Sequence, residues 1–136
     1  MNRTLIILKP DAVERGLVAD ILGRFERRGL KFIAADLRVI SEKVAQEHYA
    51  EHSERPFYDE LVSFITRSPS FVAVIEGPDE TWKIVRTMMG PTDPVEAAPG
   101  TIRGDLGTEL AENLIHGSDG PGAAAREITL FFPSLS

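Results

Sequence analysis

Apolar residues change their spacing several times along this chain, and each change marks an element. Thr4 to Leu8 is an unbroken apolar run that reads as a buried strand, and Lys9-Pro10-Asp11 ends it because proline cannot continue a central ladder. Leu17, Ile21 and Phe25 then recur every four residues, with Val18 and Leu22 widening the stripe. This predicts a helix from about Glu14 to Arg28, with Gly29 at a left-handed C-cap. From Leu30 to Ile40 the period drops to two. Ile33, Ala35, Leu37 and Val39 share one face of the predicted strand, while Asp36 and Arg38 share the other.

Ser41 is placed to N-cap a short helix carrying Val44, Ala45, His48 and Tyr49. Pro56 suits the first turn of another helix, whose buried stripe is Phe57, Leu61, Phe64 and Ile65. Phe71 to Ile75 reads as a third strand closed by Gly77-Pro78, and Asp79 as the cap of a helix that buries Trp82, Val85 and Met89. Gly90 to Gly100 is a proline-rich loop, and loops of this length in small domains are usually functional or interaction elements. A short helical stretch follows near Thr101 to Leu106, and Ile128 to Phe132 has the composition of a last strand, ended by Pro133.

That order predicts an α+β fold: a ferredoxin-like βαββαβ sandwich with a four-stranded antiparallel sheet and helices packed on one face. The 136 residues suit a single domain, with 43% hydrophobic and 26% charged residues as in ordinary globular proteins. There is no cysteine, which excludes a disulfide framework and thiolate metal sites and fits a reducing cytoplasm. No apolar run approaches membrane-spanning length. A formal net charge of −6 argues against broad nucleic-acid binding but leaves room for a small polyanion held by a few local cations.

The richest candidate chemistry lies in Asn113-Leu114-Ile115-His116-Gly117-Ser118-Asp119, where a histidine sits between an apolar pair and a polar turn. Such a ring can be oriented for nucleophilic or acid–base work, although a histidine beside a turn is commonly structural. Lys9 emerges from a strand end, where a surface lysine is equally ordinary. Arg86 and Arg103 flank the long loop and define a phosphate site if the fold brings them near His116. There is no GxxxxGK[ST] and no GxGxxG after the first strand, so phosphate binding must rest on side chains, a metal or a helix N-terminus. His48 and His52 are four apart but lack a third ligand, which favours a solvated helix over a zinc site. Phe57 suits either the core or a cleft mouth where it would stack on a base.

Taken together, the chain closely resembles the nucleoside diphosphate kinases from Arg3 to Pro133. The resemblance is carried by Ile7-Leu8-Lys9-Pro10-Asp11, His48-Tyr49, Arg55-Pro56-Phe57, Gly90-Pro91-Thr92-Asp93-Pro94, Pro99 to Asp105 and the histidine heptad. It implies ping-pong transfer of a γ-phosphate from a nucleoside triphosphate to a nucleoside diphosphate through a phosphohistidine at His116. Glu127 would orient the ring and Ser118 would support it. Lys9, Arg86, Thr92, Arg103 and Asn113 would hold phosphates or ribose, with Tyr49 near the phosphates. Phe57 and Leu110 would sandwich the base, and magnesium would arrive with the nucleotide. The resemblance further implies a cytoplasmic homo-oligomer, a hexamer or alternatively a tetramer. The chain departs from the family where Gly120-Pro121-Gly122 replaces the usual serine- and glutamate-bearing turn before Glu127, at Arg67 to Phe71 before the third strand, and in the helix after Gly77, which is one residue longer.

Overall fold

The first strand, β1 (Arg3–Leu8), is apolar on both faces and therefore lies inside the sheet. Leu5 and Ile7 point into one core, Ile6 and Leu8 into another, and all four are fully buried. The computed structural model describes residues 2–135. Its strands are β1, β2 (Lys31–Arg38), β3 (Ser70–Glu76) and β4 (Ile115–Gly117), paired antiparallel in the order β2-β3-β1-β4. Helices α1 (Pro10–Glu14), α2 (Val18–Arg27), α3 (Glu42–His48), α4 (Tyr58–Thr66), α5 (Thr81–Met89), α6 (Ile102–Leu106) and α7 (Pro121–Phe131) surround it. This is the predicted βαββαβ sandwich, and no helix among the described residues is long and apolar enough to cross a membrane.

Helices cover both faces of the sheet rather than one. Ile21 and Phe25 of α2, Val85 and Met89 of α5 and Ile102 of α6 pack on the Ile6/Leu8 side. Ala45 of α3, Val62 and Ile65 of α4, and Ile128 and Phe131 of α7 pack on the Leu5/Ile7 side. Both faces of β1 and β3 are apolar, so both require cover.

The predicted last strand at Ile128 to Phe132 is instead the end of α7. Pro121 at the helix start and Ala123-Ala124-Ala125 favour helix, and Ala124, Ile128 and Phe131 bury one helical face. The true fourth strand, three residues long, is too short to show a period. In β2 the register shifts between Phe32 and Ala34, sending Phe32 to one core and Ile33 with Ala34 to the other. The expected apolar face therefore breaks up, leaving Leu37 of the edge strand 58% exposed and Val39, just past its end, 59% exposed.

Smaller corrections have local causes. The helix predicted from Glu14 to Arg28 begins only at Val18 as α2, because Gly16, whose φ of 71° favours glycine, separates it from α1, which ends at Glu14. α4 starts at Tyr58, so Pro56 and Phe57 precede it and Val62 joins Ile65 in the core. The N-cap of α5 is Glu80 in a left-handed conformation rather than Asp79, and Trp82 is half-buried. Ser41 caps α3 as predicted, accepting a hydrogen bond from Val44 N at 3.2 Å, and Gly29 is left-handed after α2.

Candidate active site at the fourth strand

β4 is reached through a sharp turn. Ile115 N donates to Asn113 O at 2.9 Å around Leu114, whose φ is 75°. A hydrogen bond spanning two residues about a positive-φ centre is the rarer, strained form of γ-turn. A leucine there costs about 1–3 kcal/mol. Its side chain is fully buried, and its backbone is clamped on both sides: Leu114 N donates to Asp11 Oδ2 at 3.0 Å, and Leu114 O accepts from Lys9 N at 2.8 Å. The turn starts a strand in which Ile115 packs on the α5 side and Gly117 lies against Met89 and Val85. Alternation then directs His116 toward α3 and α7.

There His116 Nε2 meets Glu127 Oε1 at 2.7 Å, and Ser118 Oγ donates to the same oxygen at 2.8 Å. Glu127 is 3% exposed, and Arg126 Nη2 lies 3.5 Å from its other oxygen. Burial pushes the Glu127 carboxyl up, but the His116 ring and the Ser118 hydroxyl outweigh it and hold the group below the usual range. Ser118 is anchored in turn to β1, since Leu5 N donates to its Oγ at 3.3 Å. With Nε2 engaged, Nδ1 has no hydrogen-bond partner among the described residues.

His48 forms the wall of the same cleft. It is 5% exposed, and its ring stands edge-on to that of His116 with centroids 4.7 Å apart. Burial, reinforced by His116, pushes its imidazole down to about 3, so it is neutral. The solvated-helix expectation is thus overturned for His48, while His52 sits in a separate short turn. The missed signal was the stripe itself: Ala45, His48 and Tyr49 share one helical face. Tyr49 is also buried, which pushes its phenol up to about 12 and keeps it protonated. The cleft, about 360 Å³, is lined by these residues with Arg86, Asp119, Arg126 and Glu127 among others.

The candidate cations converge beside it. Arg86 Nη1 donates to Gly117 O at 2.9 Å, directly after the histidine. Lys9 Nζ donates to Asn113 Oδ1 at 2.9 Å, and Asn113 Nδ2 donates to Thr92 O at 2.9 Å, tying the proline-rich loop to the site. Arg103 is 4% exposed and spends its fork on three carbonyls: Asn113 at 3.1 Å, Gly90 at 2.9 Å and Ile115 at 2.6 Å. Burial and the charge of Arg86 push it down to about 10. Phe57 and Leu110 are 41% and 58% exposed, and neither lines the cleft holding His116. The fold therefore gathers His116, Glu127, Ser118 and Tyr49 with Arg86, and links Lys9, Arg103, Asn113 and Thr92 to the same turn. Such a site can present one imidazole nitrogen to an anionic centre in a positive local field.

Known proteins share both sequence and structure with this chain. The family model described as nucleoside diphosphate kinase matches residues 2–136. The nucleoside diphosphate kinase of Parafrankia sp. (strain EAN1pec) is 54% identical over 135 residues, covering 99% of this chain and 98% of that protein. That of Natronomonas pharaonis is 58% identical over 132 residues, covering 96% and 86%. Among solved structures, the halophilic nucleoside diphosphate kinase of Halobacterium salinarum in complex with CDP superposes with a TM-score of 0.93 at 52% identity, covering 97% of this chain and 88% of that one. A Babesia bovis nucleoside diphosphate kinase family protein gives 0.95 at 47% identity, with 99% and 90% covered.

Proposed function

Because the chain belongs to the nucleoside diphosphate kinase family, we propose that it carries the γ-phosphate of a nucleoside triphosphate, typically ATP, to a nucleoside diphosphate on His116. The observation that carries this reading is the 2.7 Å contact between His116 Nε2 and Glu127 Oε1. A neutral ring that donates Nε2–H to a carboxylate keeps its lone pair on Nδ1. In the first half-reaction that lone pair forms the N–P bond. The bond from the γ-phosphorus to the bridging oxygen breaks, and the nucleoside diphosphate leaves with its electron pair. In the second, a terminal phosphate oxygen of the acceptor diphosphate attacks the phosphorus and the N–P electrons return to the ring. Glu127 steadies the positive charge of the phosphorylated imidazole, and Ser118 fixes the carboxylate.

The remaining residues position substrate and stabilise charge, which is most of what phosphoryl transfer asks of a protein. Lys9, Arg86, Thr92, Arg103 and Asn113 are assigned to phosphates or ribose, and the protonated Tyr49 phenol to donation near the phosphates. Phe57 and Leu110 are apolar side chains left exposed, as a platform for a base requires. Stacking does not read base edges, so purines and pyrimidines are both accepted. The CDP held by the Halobacterium salinarum relative supports the pyrimidine side of this assignment.

Magnesium fits as an ion brought in by the nucleotide. The three-ligand cluster found among the described residues is His48, His116 and Glu127, a nitrogen-rich set rather than an oxygen cage. Phosphate oxygens and water would hold the ion, which supplies neutralisation of phosphate charge. Cytoplasmic residence and a homohexamer, with a tetramer as the alternative, complete the reading. Incubation with labelled ATP and magnesium tests the central step. An acid-labile phosphoprotein that discharges to GDP is expected, and His116→Ala should form none. No label on the native protein would overturn the reading, and transfer by the alanine variant would overturn the nucleophile.

A further inference from the structure

We propose that Asp11 is a positioning residue for this transfer: its carboxylate pins the Leu114 γ-turn that aims the histidine strand, and its negative charge balances the Lys9 ammonium. Asp11 sits in the first turn of α1 and is 1% exposed, although aspartate is seldom so buried without a task. One oxygen, Oδ2, accepts from Leu114 N at 3.0 Å. The other, Oδ1, is buried with no hydrogen-bond partner. A role confined to holding one amide needs only a neutral acceptor, such as an asparagine carbonyl. A buried carboxylate at this place supplies something more, a charge.

The charge has an evident recipient two residues away. Burial and Arg103 push the Lys9 ammonium down to about 8, and Asp11 pushes it back up. Among the described residues, the groups facing Lys9 are Arg103 of α6, Asp11 of α1 and the imidazole of His48 of α3, which is neutral, with Asn113 as its hydrogen-bond acceptor. Facing Asp11 are Lys9 and Glu112. Burial raises the Asp11 carboxyl, the Leu114 amide and Lys9 lower it, and Glu112 raises it. Asp11 thus joins the two halves of the site. Through Leu114 it fixes the turn between Asn113 and His116, and through its field it keeps a phosphate-binding lysine charged at neutral pH.

This inference rests on the kinase reading, and paired variants separate the two. Asp11→Asn keeps an acceptor for Leu114 N and removes the charge, while Asp11→Ala removes both. In Asp11→Asn, Lys9 loses its proton at lower pH, so the alkaline limb of kcat/KM for ATP moves down by about one pH unit, the lower end of what a nearby opposite charge imposes. The turnover at pH 6.5 stays within about threefold of the native value, because Lys9 is still charged there and the turn is still held. Asp11→Ala shows the same shifted limb and, in addition, a kcat about 10- to 100-fold lower at pH 6.5, from a misdirected histidine. An alkaline limb unmoved in Asp11→Asn overturns the charge role, and an undiminished kcat in Asp11→Ala overturns the turn-pinning role. If the native protein forms no phosphoenzyme from ATP, it is the kinase reading that fails.

Discussion

At the scale of single residues, His48 shows how closely the site depends on a neutral, buried neighbour. Its imidazole is pushed down to about 3 in the folded chain against an ordinary 6.5. The unfolded chain therefore takes up a proton below pH 6.5 while the folded chain does not. The stability this residue supports is complete above pH 6.5 and is lost as pH falls toward 3. At pH 5 the loss is about 2 kcal/mol, since each unit is worth about 1.4 kcal/mol. Urea unfolding of the native chain and His48→Gln at pH 7 and pH 5 should show a drop larger by about that amount in the native chain. Equal drops would mean that His48 is solvated after all. Glu127 adds to the same trend, because its depressed carboxyl contributes stability above about its ordinary range that is lost as pH falls through the folded value.

At the scale of elements, β4 and its turn are the device that turns a histidine into a directed one. Gly117 is required there, because a Cβ on it would lie 2.6 Å from Met89 Sδ, and Met89 is 1% exposed in the core. Gly117→Ala should destabilise the fold by about 1–3 kcal/mol and slow phosphoryl transfer as β4 moves off α5. Differential scanning calorimetry and the ATP-to-GDP rate check both, and an alanine variant matching the native chain in both would contradict this packing. The elements with sustained periodicity were legible in the sequence: β1 from its apolar run, α2 from its four-residue stripe, β3 and α5 from theirs. β4 was not, because three residues containing His116 and Gly117 carry no period. Its role was misassigned to Ile128 to Phe132, where strand-like composition hid a helical face shared with Ala124. The bulge in β2 was equally invisible, since one inserted residue changes faces without changing composition. Within the site, residue types and order pointed to His116 and the cations and the family resemblance added Glu127, but nothing in the sequence pointed to the burial of His48 or the hold of Asp11 on Leu114. Both depend on contacts between elements far apart in sequence.

At the scale of the whole molecule, the sheet is covered on both faces, yet Leu37 of the β2 edge, Val39 just beyond it and Val95 of the proline-rich loop are exposed. Light scattering of the native chain should give the mass of six copies; four copies would replace the hexamer by the tetramer, and a monomer or dimer would contradict both. The sheet's other edge is β4, so His116 stands where β1 holds the strand, with Ile7 opposite it, and where α3 and α7 close over it. In the proposed transfer this architecture engages Nε2 of His116 with Glu127 and leaves Nδ1 to carry the phosphate. Nitrogen and phosphorus NMR of the phosphoenzyme, prepared with ATP from chain labelled in histidine, tests it most directly. One phosphate on Nδ1 of His116 is the predicted result, and phosphate on Nε2, or on any other residue, would contradict it.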